Sequence, residues 1–380
     1  MKVLILYAKV GNGHLKASEA IMDEIKSKFP DATLFFEDGL EYSGALTNKM
    51  IIKGYKNLVK YMPGTYGKMY YNTDTKDAKE KSMLEDAYKI INKYLTIRLK
   101  KMIRKTAPDV IISTHPFITR MCSYLKKKGK TNARLMTIVT DYGVHNMWVD
   151  NSVYIDKICV ATKEMKEDCI EEYGLKADKV EVTGIPCSDK FLKPIAKEQM
   201  LGELGLQDKT TFLFFAGGGL GLGDSEDILE ELLKSKKDFQ LIVVSGKNEK
   251  QKQRFEKMAK DTDKKVVILG YTDRVPELMN IATAVITKPG GLTSTECLVM
   301  RKPMIIINPI PGQEEQNAVY FSNNGTALII NEATKLSHII EIVVNKPKRV
   351  EQMKEMCNEL RKPNAAAQIA SIAKRLADGE

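Results

Sequence analysis

Short apolar runs alternate with amphipathic stretches along this chain. The runs at residues 3–7, 32–36, 110–113, 135–139, 157–160 and 180–182 are three to five residues long, rich in Val, Ile and Leu, and read as buried strands. A second set follows at 211–216, 240–244, 266–269, 284–287, 304–307 and 327–329. Helical periodicity fills most of the gaps, so the pattern predicts parallel α/β architecture with enough strands in each half for a separate sheet. Periodicity breaks between Gly184 and Pro194, where two prolines occur, and the domain link is placed there. The expected domains are 1–185 and 186–380, with the last helix free to cross back to the first. Ligands of open α/β sheets bind beyond the carboxyl ends of the strands. Two such domains would aim those edges at each other across a cleft. Residues 41–81 lack a clear strand and are long for a connection, which predicts a helical insertion with a mobile tip.

Several strand-to-helix loops carry chemistry. Thr287-Lys-Pro-Gly-Gly-Leu-Thr-Ser-Thr-Glu296 closes a strand with a glycine turn and opens a helix, whose first N–H groups would meet an anion. Gly290 and Gly291 allow close approach of a ligand, and Glu296 lies far enough into the helix to reach the sugar hydroxyls of a nucleotide. A second glycine loop, with Gly217, Gly218 and Gly219, follows the 211–216 run and suits a diphosphate or a donor sugar. Gln313, Glu314 and Asn317 offer hydroxyl-binding groups on one helical turn, though an ordinary polar helix start reads the same way. In the first half, Gly11-Asn-Gly-His14 sets His14 at a helix start, as a cap or a general base. His115-Pro116, and the loop carrying Asp141, His145 and Trp148, extend the same sheet edge, with Asp141 a second candidate base.

Lys16 stands where a dinucleotide fingerprint needs Gly or Ala, and no Gly-Lys-Ser/Thr follows the second loop, so Rossmann redox and P-loop chemistry are disfavoured. The six cysteines show no Cys-x-x-Cys spacing and the four histidines are scattered, supporting neither a disulfide framework nor a zinc site. The amino terminus reads as a first strand and no run approaches the length of a membrane span, so a cytoplasmic protein is expected.

The formal charge of +10 favours an anionic partner. Basic residues concentrate between Thr47 and Lys105 and again at Lys126–Arg134, whereas the nucleotide signals lie in the second half. Lys49, Lys53, Lys56 and Lys60 interleave with Met50, Ile51, Ile52, Tyr55, Leu58, Val59, Tyr61 and Met62, a mixture suited to an anionic lipid interface or to a half-buried helix. The charge has no recognised nucleic-acid module around it, and a nucleic-acid partner is not expected.

Together these segments resemble the monogalactosyldiacylglycerol synthases and processive diacylglycerol glucosyltransferases of glycosyltransferase family 28. The matching residues are Gly11–His14, His115-Pro116, Thr140-Asp141 with His145 and Trp148, Gly184-Ile-Pro186, Gly217–Gly219, Lys288–Thr293 with Glu296, and Pro311–Glu314 with Asn317. The resemblance implies a GT-B fold of two Rossmann-like domains, a UDP-glucose or UDP-galactose donor in the second, and diacylglycerol over the first. It implies inversion without a metal or other cofactor, at the inner face of the cell membrane. Glu296 would hold the ribose, Gly291, Leu292 and Thr293 would face the diphosphate, and Gln313 and Glu314 the sugar. His14 or Asp141 would take the acceptor's proton, and His115, His145, Trp148 and the four lysines would face acceptor or membrane. Asn12 departs from family loops that carry a third glycine there. The alternatives are an N-acetylglucosaminyltransferase acting on a polyprenyl-linked precursor and a non-catalytic nucleotide-sugar or lipid sensor.

Overall fold

The computed structural model describes residues 1–43, 53–54, 57–74, 96–217, 225–331 and 334–380. Lys49, Lys56, Gly218 and Gly219 lie outside them, as do residues 44–52, 55–56 and 75–81 of the expected insertion. Contacts divide the chain into two units. The first holds Met1–Ser188, Pro311–Gln313 and Lys362–Glu380; the second holds Asp189–Ile310 and Glu314–Arg361.

The first unit is built on six strands, β1 (Lys2–Tyr7), β2 (Thr33–Asp38), β3 (Val110–Ser113), β4 (Arg134–Ile138), β5 (Lys157–Val160) and β6 (Val180–Val182), in the order β2-β1-β3-β4-β5-β6. Every pairing is parallel, with Val3 beside Leu34 on one side and Val110 on the other. A parallel sheet needs cover on both faces, and the central strands accordingly read as continuous apolar runs. All four residues of β3 are buried, whereas edge strand β2 is only partly so.

One face of this sheet is covered by the helix Gly13–Lys28, which buries Ala17, Ser18, Ala20, Ile21 and Ile25 along one stripe. The last helix, Ala365–Asp378, completes the same core: Ile369, Ala370, Ile372, Ala373 and Leu376 pack with Val3, Ile5, Ile21, Ile25 and Ile112. Its approach requires Gly184 at the end of the unit's main segment. That residue sits at φ +86°, and a Cβ there would lie 2.4 Å from the Lys362 Cβ.

The second unit repeats the architecture with β7 (Thr211–Phe215), β8 (Gln240–Val244), β9 (Val266–Leu269), β10 (Ala284–Thr287), β11 (Met304–Ile306) and β12 (Ala327–Ile329), ordered β12-β11-β10-β7-β8-β9 and again parallel. Phe212, Phe214, Phe239, Leu241, Phe255 and Ile339 form its core. Among the described residues no helix is long and apolar enough to cross a membrane.

Because Ile369 is fully buried in the first unit's core, Ile369→Ala should cost about 2–5 kcal/mol of that unit's stability. Urea unfolding followed in the two units separately should show the first unit's midpoint falling while the second's stays in place.

Candidate functional site

In each sheet two adjacent strands lead on to strands in opposite directions, which opens a crevice at the carboxyl edge. In the first unit it lies between β1 and β3, where the loop after Tyr7 meets the loop after Ser113. His14 is the second residue of the helix Gly13–Lys28, whose N-cap Asn12 makes no side-chain capping bond. His14 Nδ1 lies 2.6 Å from the Thr114 carbonyl oxygen. A carbonyl can only accept, so Nδ1 carries the hydrogen and Nε2 keeps the lone pair. Among the described residues no hydrogen bond occupies Nε2.

The loop is tied from several directions. Thr114 Oγ1 donates to the His14 carbonyl at 3.1 Å and stands 3.0 Å from Ser18 Oγ, while Thr140 Oγ1 lies 3.1 Å from His14 Nδ1. The His115 ring meets His14 edge-on, with centroids 4.7 Å apart. Burial lowers the His14 pKa to about 4, partly opposed by the Thr114 bond. Burial, and then the neighbouring His14, push His115 well below the usual histidine value. His14 is therefore neutral near pH 7, with an oriented lone pair able to take a proton.

The other first-unit candidates divide. Asp141 is partly buried and engaged with neighbours, and its charge, after burial, raises the pKa of Tyr70. At His14 the hydrogen bonding defines which atom can accept a proton. His115 spends Nδ1 on the Phe117 N–H as a helix cap. His145 and Trp148, expected to face acceptor or membrane, do neither. His145 accepts from the Met147 N–H at Nδ1 and donates from Nε2 to the Tyr70 carbonyl at 2.9 Å, so both nitrogens hold the fold. Trp148 is 3% exposed. An apolar aromatic after a strand end reads the same in sequence whether it points to solvent or to the core. Lys53 and Lys60 are exposed.

In the second unit the crevice lies between β7 and β10, bringing the loop after Phe215 beside the Lys288–Gly290 turn. At Gly217 a Cβ would lie 2.2 Å from the Ser245 carbonyl oxygen, so only glycine lets the two loops meet. The space around the Gly290 Cβ position is open to 4 Å. Gly290 N-caps the helix Gly291–Val299 without a side-chain capping bond, and the first turn has no acid, which leaves an electropositive helix start. Leu292, Thr293 and Glu296 are partly exposed on it, and Gly291 is buried.

Asn317 corrects another expectation. It is fully buried, and its amide donates to the Pro289 carbonyl at 2.9 Å, bracing the Pro-Gly-Gly turn instead of facing a sugar. Glu314 Oε2 accepts from the Ile310 N–H at 2.8 Å, holding the entry to the helix Gln313–Asn323 that Gln313 opens. Residues that sequence reasoning missed lie beyond the ends of β8 and β9, where the Lys247 ammonium sits 5.1 Å from the ring centroid of Tyr271. Tyr271 is 64% exposed, a solvent-facing aromatic at the carboxyl edge of the sheet. Only its place after an apolar run signals it in the sequence. Among the described residues no three His, Cys, Asp or Glu side chains gather as a metal site requires.

Two doubly wound parallel sheets, each with its crevice at the switch point, define the GT-B class of nucleotide-sugar enzymes. The fold is shared with Acinetobacter baumannii MurG, at a TM-score of 0.64 and 12% identity over 98% of this chain and 99% of that one. It is shared also with Anabaena HepE solved with UDP and glucose, at a TM-score of 0.58 and 14% identity over 99% and 100%. Residues 14–187 match the monogalactosyldiacylglycerol (MGDG) synthase family and residues 213–376 the glycosyltransferase family 28 C-terminal domain. Processive diacylglycerol β-glucosyltransferases from Staphylococcus aureus (strain Newman) and Staphylococcus epidermidis (strain ATCC 35984) are 33% and 30% identical, each over 99% of this chain and 92% of their own length. The chain belongs to this family of diacylglycerol glycosyltransferases.

The glycines separate fold from ligand approach: Gly217→Ala should lower the thermal midpoint, and Gly290→Ala should leave it unchanged, in calorimetry of the free protein. The histidines predict a pH window. Their folded pKa values lie below the unfolded value near 6.5. The unfolded chain therefore binds more protons between about pH 4 and 6.5, and stability should fall as pH drops through that range. In the His14→Asn/His115→Asn variant, the slope of the midpoint against pH should be shallower there.

Proposed function

We propose that the protein transfers glucose from UDP-glucose to the free hydroxyl of diacylglycerol, with inversion at the anomeric carbon. The observation that carries the chemistry is His14, neutral, with Nδ1–H committed to Thr114 and Nε2 available. As the acceptor hydroxyl attacks the anomeric carbon, Nε2 takes its proton, and the bond to the diphosphate breaks with its electron pair leaving on UDP. Charge developing on the diphosphate would meet the helix start at Gly291, a role that in other transferases falls to a divalent cation. The reaction is therefore proposed to run without metal. Glu296 would hold the ribose, and Gly217, Gly290, Gly291, Leu292 and Thr293 would border the diphosphate.

The choice of glucose rests on how far the likenesses reach. The full-length relatives described above are named as glucosyltransferases. The match to the MGDG synthase family stops at residue 187, before the donor-side loops.

Attachment to an anionic membrane surface is the second part of the reading. Tyr61, Met62, Met69 and Tyr71 are among the most exposed large apolar residues. Met62 and Met69 are seven residues apart and so share one side of the helix Pro63–Thr73, beside exposed Lys60 and Lys68. Apolar side chains ringed by lysine suit an interface rich in anionic headgroups. Diacylglycerol resides in such a bilayer, and docking there would place the protein at the inner face of the cell membrane.

The purified protein, with diacylglycerol in anionic vesicles, should form hexosyl-diacylglycerol from UDP-glucose faster than from UDP-galactose or UDP-N-acetylglucosamine, as read by mass spectrometry, and a chelator should not slow it. Product from UDP-galactose alone would overturn the donor choice, and strict dependence on added cation the metal-free mechanism. Gly290→Ala should weaken UDP binding in titration calorimetry. Lys53→Glu/Lys60→Glu/Lys68→Glu should lose sedimentation with anionic vesicles while turning over detergent-dispersed diacylglycerol; unchanged sedimentation would sink the surface assignment.

A further inference from the structure

A histidine base works best when its second nitrogen is held by a partner that steadies the imidazolium formed on proton uptake, and a carboxylate commonly fills that place. Among the described residues no carboxylate has this position at His14. The atoms within hydrogen-bonding distance of Nδ1 are the Thr114 carbonyl oxygen at 2.6 Å and Thr140 Oγ1 at 3.1 Å. From this geometry we infer that Thr140 is a positioning residue for His14: its hydroxyl oxygen shares the Nδ1 hydrogen with the Thr114 carbonyl, and the two neutral oxygens together orient the ring and steady its charged form.

The hydrogen positions follow by elimination. The Thr114 carbonyl accepts from Nδ1–H, so Nδ1 has no lone pair to offer and Thr140 Oγ1 can only be a second acceptor. Thr114 Oγ1 donates to the His14 carbonyl, so in its contact with Ser18 Oγ it accepts. His14 is thereby gripped at its backbone by the Thr114 hydroxyl and at its ring by the Thr114 carbonyl, and Thr140 closes the remaining side. Thr140 is 6% exposed and Thr114 and Ser18 fully buried, which keeps water from competing for these bonds.

Proton balance is simple. The acceptor O–H gives its proton to Nε2, its electron pair forms the bond to the anomeric carbon, and the Nδ1 hydrogen never leaves. What changes is the charge on the ring, and a hydrogen bond to a charged group is roughly twice as strong as one between neutral groups. Thr140 therefore contributes more after proton uptake than before it, which raises the basicity of Nε2. Of the titratable groups around it, His115 meets the ring edge-on from the β3 loop, Asp141 follows Thr140 in sequence on the β4 loop, and on its own helix Lys16 is paired with Glu19.

This rests on His14 as the base, and the experiment separates the two. Glycolipid formation is measured over a range of UDP-glucose concentrations from about pH 3 to 9 for wild type, His14→Gln, Thr140→Val and Thr140→Ser. Loss of one shared hydrogen bond to a charged ring predicts a fall in kcat of about tenfold for Thr140→Val. The KM for UDP-glucose should be unchanged and the acid limb of the rate profile should move to lower pH, while Thr140→Ser keeps the hydroxyl and restores both. If Thr140→Val matches wild type, or if Thr140→Val and Thr140→Ser are equally impaired with the acid limb unmoved, the positioning role is overturned and His14 as base stands. Wild-type turnover by His14→Gln would instead remove the base assignment, and the inference with it.

Discussion

Much of this protein follows from the one-way character of a carbonyl oxygen. Thr114 offers His14 an atom that can accept and never donate, and at 2.6 Å that fixes which imidazole nitrogen holds hydrogen. The bond exists because β1 and β3 are neighbours in the sheet, though more than a hundred residues apart in the chain. It follows that the whole first sheet serves to hold two short loops in register. The same economy operates in the second unit, where adjacency of β7 and β10 sets a helix start beside a loop that only glycine can close.

The two units answer different electrostatic needs with related parts. In the second, the unpaired N–H groups of a helix start supply positive potential without a titrating side chain, so the response to a diphosphate should not vary with pH near neutrality. In the first, desolvation keeps an imidazole uncharged where the proposed reaction would deliver a proton. Neither device needs a carboxylate in contact with the reacting atoms, which avoids placing negative charge near a departing anion.

How much of this was legible beforehand depended on whether the signal was local. All of the strands were, because a strand buried on both faces must be apolar throughout, and boundaries shifted only slightly, where a polar residue joins the ladder, as at Lys2, Arg134 and Asp38, or where an apolar run outlasts it, as at Val139, Ala216 and Ile307. Glycine loops and His14 were legible for the same reason. The failures concerned where a side chain points. His145, Trp148 and Asn317 occupy loops or helix starts at the expected edges, but their hydrogen bonds and packing turn them toward the fold. Thr114 went unnamed, and Thr140 was named only as a matching residue without a role, because a threonine at a strand end carries no mark of the partner that tertiary structure will bring to it.

The return of the last helix to the first core bears on synthesis as well as stability. Lys362–Glu380 follow the entire second unit in the chain, yet Ile369, Ile372 and Leu376 fill the space beside Ile5, Ile21 and Ile25. During translation the first sheet emerges with that apolar stripe uncovered, and it stays uncovered while the 170 residues of the second unit are made. The unit synthesised first is thus completed last, and a nascent chain stalled anywhere in the second unit presents a sticky, half-built sheet to the chaperones around it.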